Sequence, residues 1–194
     1  MARFDVFISH DTVDYQLALK VHDILDKIGF NPYIYELYPQ YRKTIPEGIR
    51  DAMKSCSACL VLLTFSSIQS IWVHQELGLA YGLPRIIIPV LQIGVEFEVK
   101  GFVEMVSHID YDPNNPDNLA YSIIWALRNE VFGHNARPGL RLRCPNGHES
   151  RDYKLPSTDE INEILKVPQQ AFTYNCTKCN IEILVSPYTF EEVL

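Results

Sequence analysis

The chain has 194 residues, of which 47% are hydrophobic and 21% charged, a globular composition that excludes disorder as its main state. Seventeen Lys and Arg against 24 Asp and Glu leave a net charge of -7, so the overall field repels phosphate backbones and excludes general nucleic-acid binding. No apolar run reaches the about 18 residues of a membrane span, and residues 1–9 lack the basic start and long apolar stretch of a signal peptide; a cytoplasmic protein without membrane association is expected.

In chain order, residues 4–8 read as a strand. Leu17, Val21, Ile24, Leu25 and Ile28 follow at helical spacing, and Gly29 stops that helix. Residues 31–35 read as a second strand, and residues 36–45, charged, rich in tyrosine and containing Pro39, read as a loop. Pro46 suits the first turn of a helix over 47–54 with Ile49 and Met53 on one face. Residues 59–65 form a continuous apolar strand, 72–83 a helix ended near Gly82 and Pro84, and 85–91 another wholly apolar strand. A short strand over 108–111 and a helix over 119–131 complete the series before Gly133.

Strands that alternate with helices, and that are apolar throughout, indicate a parallel sheet covered on both faces. Ligands of such sheets sit outside the carboxyl ends of the strands. Residues 9–14, 36–45 and 66–72 are therefore the segments to search for function.

The composition changes after Gly133. Residues 1–133 form the first domain, 134–143 read as a polar linker with Pro138-Gly139, and 144–194 form a small second module without a long apolar helix. The first domain holds 10 basic and 16 acidic residues, and the remainder 7 and 8, so the acidity belongs to the first domain.

Five cysteines, an odd number, and no export signal point away from a disulfide framework. Cys144-Pro145-Asn146-Gly147-His148 is one tight knuckle and Cys176-Thr177-Lys178-Cys179 a second. Together they supply three thiolates and one imidazole, the donor set of a closed tetrahedral zinc site. A module this small has little core of its own, and a structural metal answers that deficit. The pattern resembles a zinc ribbon, with Cys144, His148, Cys176 and Cys179 as structural ligands. Cys56-Ser57-Ala58-Cys59 has the same spacing but opens an apolar strand, where a redox pair would follow one, so both are expected to be buried structural cysteines.

The glycines form neither G-x-G-x-x-G nor G-x-x-x-x-G-K-[ST], and there is no G-x-S-x-G elbow. The informative stretch runs from Ser66 to Glu76. Ser70 suits a helix N-cap, and Trp72 and Glu76, four apart, share a helix face. A carboxylate beside an indole at the carboxyl end of a buried strand suits electrostatic work in a cleft; a core tryptophan and a solvated glutamate are the bland alternative.

Phe4-Asp5-Val6-Phe7-Ile8-Ser9-His10 resembles the first box of the TIR (Toll/interleukin-1 receptor) domain family, and Ser66-x-x-x-Ser70-x-Trp72-x-x-x-Glu76 its third-helix motif. Pro46-x-Gly48-Ile49 with Met53 resembles the passage from the family's BB loop into its second helix. Trp72-Val73-His74-x-Glu76 resembles the form found in the NAD-cleaving branch. The resemblance covers residues 4–133 and implies a flavodoxin-like, five-stranded parallel sheet with helices on both faces.

For such a domain the resemblance implies an NAD+ nucleosidase. Its catalytic glutamate corresponds to Glu76, which would stabilise the oxocarbenium-like ribose left by departing nicotinamide. Water capture gives ADP-ribose, and internal capture a cyclic isomer. NAD+ is then the substrate, in agreement with the missing dinucleotide fingerprint. Ser9, His10 and Asp14 after the first strand, Glu36, Tyr38 and Tyr41 in the BB loop, and Trp72 are the implied substrate contacts or gate. His74 lies on another helix face and is expected to be structural or at a protomer contact. Homo-oligomerisation through TIR–TIR contacts and a role in prokaryotic immune signalling also follow from the resemblance. The alternative is a non-catalytic TIR adaptor, which Glu76 argues against; a nucleoside deoxyribosyltransferase is a further alternative with a poorer match to the first box.

Overall fold

The structure, a computed structural model, describes residues 4–38, 44–95, 98–114, 118–132, 139–167 and 170–193. Residues 39–43 of the expected loop, Tyr41 among them, and residues 134–138 of the expected linker lie outside the described residues. The chain divides into two compact units, Met1–Asp23 with Asn31–Pro116, and Ile24–Phe30 with Asp117–Leu194.

The first unit holds a five-stranded parallel sheet in the order β2-β1-β3-β4-β5, formed by Val6–Ser9 (β1), Pro32–Tyr33 (β2), Ala58–Leu63 (β3), Ile86–Gln92 (β4) and Ile109–Tyr111 (β5). This is the flavodoxin-like order. Every residue of β3 is buried, which requires cover on both faces and explains its unbroken apolar sequence. Phe7, Cys59, Val61 and Leu63 point to one face, where they join Ile49, Ala52 and Met53 of α2 (Ile45–Ser55) and Val73, Leu77 and Ala80 of α3 (Ile71–Gly82) in a single core. Val6, Ile8, Leu60 and Leu62 alternate to the opposite face and are equally buried. Cys56 and Cys59 are both buried.

Helix α2 begins at a capping box. The Glu47 carboxylate accepts from the Thr44 backbone N–H and hydroxyl, each at 2.9 Å, with Pro46 in the first turn. The second strand is shorter than its apolar run predicts, because residues Tyr35–Leu37 turn into a 3-10 segment immediately after Tyr33 and Ile34.

The second unit contains the last turn of α1 (Tyr15–Lys27), helix α4 (Asn118–Leu127), which continues as a π-helical turn over Arg128–Phe132, and the cysteine-bearing module. Gly29 closes α1 in a left-handed conformation (φ 89°), with the Phe30 N–H donating back to the Leu25 carbonyl at 3.0 Å. The module has an antiparallel hairpin, β6 (Gly139–Arg143) with β7 (Glu149–Lys154), a short helix α5 (Thr158–Ile164), and a three-stranded sheet in the order β10-β9-β8 from Phe172–Asn175 (β8), Glu182–Val185 (β9) and Glu192–Val193 (β10). The second half of the segment expected as a linker is thus strand β6. Asp26 receives Arg141 at 2.5 Å and Arg151 at 3.0 Å, and Lys27 donates to Glu192 at 2.7 Å, so the end of α1 is bound to the module by ion pairs. Arg128 is fully buried and donates to the Pro156 carbonyl. Among the described residues no helix is long and apolar enough to cross a membrane.

Candidate active site and metal cluster

Three neighbouring strands deliver the site. In the order β2-β1-β3, the chain leaving β2 lies beside the chain leaving β1, and α3 follows from β3. A cavity of about 220 Å³ opens there. Its walls include His10 and Asp11 after β1, Tyr35 and Glu36 after β2, Ile45 and Ile49 of α2, and Trp72 and Glu76 of α3. Sites that enclose a whole drug-sized ligand measure roughly 300–1,000 Å³, so a dinucleotide would insert only its reacting end.

Glu76 is half-buried. Burial raises its carboxyl to about 7; the Ser9 hydroxyl pulls it down, and the charge of Glu36 pushes it up. Ser9 is fully buried and its Oγ makes no hydrogen bond of standard geometry, so its influence on Glu76 is a looser polar contact. The His10 side chain is only 5% exposed; its Nε2 lies 3.6 Å from Glu36 Oε1, and its Nδ1 lies 3.4 Å from the Ile8 carbonyl. Asp11 caps the Thr12–Asp14 turn through the Val13 N–H at 3.0 Å, which, with a hydrogen bond from Ser70, lowers its carboxyl below the usual range.

His10, Glu36, Trp72 and Glu76 therefore meet around one cavity, with Ser9 beneath Glu76. Trp72 lines it while 52% exposed. Asp14 and Tyr38 are not among the lining residues. Asp14 accepts a hydrogen bond from the Thr64 hydroxyl at 2.6 Å, and Tyr38 stacks on Tyr33 with ring centres 5.4 Å apart and meets Phe4 edge-on at 4.8 Å. His74 places Nδ1 2.7 Å from the Ser70 carbonyl, in the first turn of α3. The Ser70 side chain, expected to cap α3, makes no such hydrogen bond. Asp11 and Tyr35 were not singled out from the sequence; Asp11 falls within the segment 9–14 that follows the first strand, whereas Tyr35 is the last residue of the expected second strand.

A larger cavity of about 350 Å³ lies elsewhere in this unit, with Leu63, Leu91, Val99 and Val103 in its wall. Two of its polar residues have local partners: Glu104 accepts from the Gly101 N–H at 2.9 Å and His108 faces Asp110 at 3.3 Å. The smaller cavity, whose wall carries the carboxylates of Asp11, Glu36 and Glu76, is the chemically poised one.

In the second unit the two knuckles sit at the turns of the β6–β7 and β8–β9 hairpins. Cys144 N–H donates to the His148 carbonyl at 2.9 Å, with Gly147 at φ 80°, and Cys176 N–H donates to the Ile181 carbonyl at 2.8 Å. These turns aim the Sγ atoms of Cys144, Cys176 and Cys179 and a ring nitrogen of His148 at one point, all within 4.8 Å of one another. Cys144 Sγ lies 3.7 Å from Cys179 Sγ and 3.6 Å from His148 Nδ1, and Cys176 Sγ lies 3.8 Å from that same nitrogen. A tetrahedral ion with metal–sulfur bonds of about 2.3 Å and a metal–nitrogen bond of about 2.0 Å requires edges of about 3.5–3.8 Å, and these three edges fit a four-coordinate metal. The Lys178 N–H donates to Cys176 Sγ at 3.5 Å and draws that thiol down to about 6, towards the thiolate that a metal binds.

No curated protein matches the chain. The TIR domain of the Toll-related receptor TRR-2 from Hydra magnipapillata is 20% identical, with a TM-score of 0.56, over 65% of this chain and 99% of that one. A metazoan TIR-STING receptor from C. gigas is also 20% identical, with a TM-score of 0.53, over 62% of this chain and 39% of the receptor. This chain therefore spans only that minor part of the receptor's length. The family model described as TIR domain matches residues 6–124, and with the strand order β2-β1-β3-β4-β5 it places the chain in the TIR domain family.

Proposed function

We propose that the TIR domain, residues 1–133, cleaves the nicotinamide–ribose bond of NAD+, releasing nicotinamide and ADP-ribose or a cyclic isomer. The observation that carries this reading is the Glu76 carboxylate, half-buried in a cavity at the carboxyl ends of the strands and faced by Glu36, His10 and Trp72. Departure of nicotinamide leaves positive charge on the ribose. A preorganised carboxylate in a site of reduced dielectric stabilises that charge more than it stabilises the ground state. The half-exposed Trp72 indole offers a flat wall to the leaving ring. Ser9 contacts Glu76 from the end of β1, and Asp14 and Tyr38 hold the surrounding turns. The test is incubation with NAD+ and chromatography of the products: nicotinamide release that Glu76→Gln abolishes supports the reading. Equal slow release from both proteins would replace it with an assembly module without catalysis.

We also propose that the module from residue 144 onward holds one structural zinc through Cys144, His148, Cys176 and Cys179. Three thiols and one imidazole favour zinc among abundant divalent ions, and four protein ligands leave no open position for substrate. Bound there, the metal supplies folding energy to the module. Copies of the chain are proposed to associate through their TIR domains; exposed Ile45 and Trp72 in the cavity wall and exposed Ile71 beside Trp72 in sequence suit such a contact.

A further inference from the structure

The cavity contains a second carboxylate that stabilisation of a cation does not by itself require. Glu36 stands on the 3-10 turn directly after β2 and is 39% exposed, so water reaches it. Against it lies His10, whose side chain is almost fully buried and whose Nε2 makes no hydrogen bond of standard geometry among the described residues. Burying an imidazole without a polar partner is costly. The carboxylate at 3.6 Å is what that nitrogen faces.

We propose that Glu36 is the general base that activates the water capturing the ribosyl cation, with His10 as its positioning residue, so that hydrolysis to ADP-ribose is the outcome built into this site. The inference rests on the NAD+-cleaving reading above and assigns the second half of that reaction. In the first half, the C1′–N bond breaks and nicotinamide leaves as a neutral molecule with the electron pair. In the second, a water lone pair forms the C1′–O bond, the water O–H bond breaks, and its proton passes to a Glu36 carboxylate oxygen. Release of that proton to solvent restores the site. The net change is NAD+ and water to ADP-ribose, nicotinamide and a proton.

Two carboxylates in different surroundings divide the work, as they do wherever a glycosidic bond is cut between a stabilising and a proton-moving carboxyl group. Glu76 is the more enclosed and sits on a rigid helix, which suits electrostatic stabilisation. Glu36 is the more exposed and lies beside the opening, which suits contact with water.

The experiment is competition between water and azide. Azide is an anionic nucleophile with no proton to lose, so it needs no base. NAD+ is incubated with the full chain at a fixed azide concentration, and the ratio of ADP-ribosyl azide to ADP-ribose is read by chromatography. In Glu36→Gln that ratio should rise on the order of 100-fold over wild type, the usual value of a lost general base. His10→Gln should move the ratio in the same direction by less, and Glu36→Asp by least. Glu76→Gln should lower both products together and leave the ratio unchanged. A Glu36→Gln protein that melts like wild type and keeps the wild-type ratio overturns the assignment while NAD+ cleavage stands. Wild type that releases no nicotinamide removes the parent reading and this inference with it.

Discussion

The Thr64 hydroxyl donates to the Asp14 carboxylate at 2.6 Å, tying the turn after β1 to the turn after β3 across 50 residues of chain. The same hydroxyl oxygen accepts from the Ser66 and Ser67 N–H groups, each at 3.1 Å. Burial raises the Asp14 carboxyl and the Thr64 bond opposes that rise. Thr64→Val should therefore leave a partly buried carboxylate unpartnered and destabilise the protein by about 1–3 kcal/mol near neutral pH. Because the Asp14 pKa would then rise further, the loss should shrink as pH falls and the carboxyl protonates. Urea unfolding at two pH values reads this, and a pH-independent loss contradicts it.

Glu76→Gln keeps the size of the side chain and removes its charge. Nicotinamide release should fall about 100- to 1000-fold, the usual cost of one preorganised electrostatic contact. His74→Ala, whose ring nitrogen lies 2.7 Å from the Ser70 carbonyl at the start of α3, should retain far more activity. Comparable losses in both would point to a structural effect of α3.

The elevated pKa of Glu76 sets a pH dependence. Only the carboxylate stabilises a cation, so kcat/KM should rise with pH through about 7, and Glu76→Gln should abolish that limb. Stability runs the other way. A carboxyl raised from 4.5 to about 7 on folding contributes stability that is complete below 4.5 and lost as pH rises through about 7. Glu76→Gln should then be more stable than wild type at pH 8 by up to about 3 kcal/mol and level with it near pH 4. Thermal melts across that range provide the measurement.

One zinc per chain should be found by elemental analysis, and a strong chelator should unfold the module of residues 144–194. Cys144→Ser should lower metal content. Cys56→Ser should not, since Cys56 is buried and its thiol is pushed up to about 12 by that burial. Protein that is metal-free as purified would exclude the site.

If copies associate through the TIR domain, nicotinamide release per chain should increase with protein concentration or crowding. A specific activity that stays flat over a wide dilution series would show that one copy suffices.

Much of the fold was legible because burial writes itself into period. The unbroken apolar run of β3 and the helical spacing in α1 and α2 follow from which faces must leave water. The clustering of Cys144, His148, Cys176 and Cys179 was legible because a two-residue spacer between cysteines, and a glycine at a positive φ before His148, are local requirements of a knuckle. Trp72 and Glu76 line one cavity because residues four apart on a helix point the same way.

Sequence alone thus determined the strand and helix series of the first domain, the knuckles and the Trp72–Glu76 pairing, each set by neighbours along the chain, but not the strands of the second module. Tertiary structure decided which residue after β1 faces the cavity: Asp11 lines it, while the Thr12–Asp14 turn carries Asp14 to Thr64. Side chains in turns follow no period, so their direction depends on what packs against them. Tertiary structure also brought His10 to Glu36, because β1 and β2 are neighbours in the sheet although 22 residues separate Ser9 from Pro32 in the chain. The last turn of α1 joined the cysteine module through Asp26 and Lys27 for the same reason. Ion pairs between distant segments exist only once both have been fixed by the folding of everything between them.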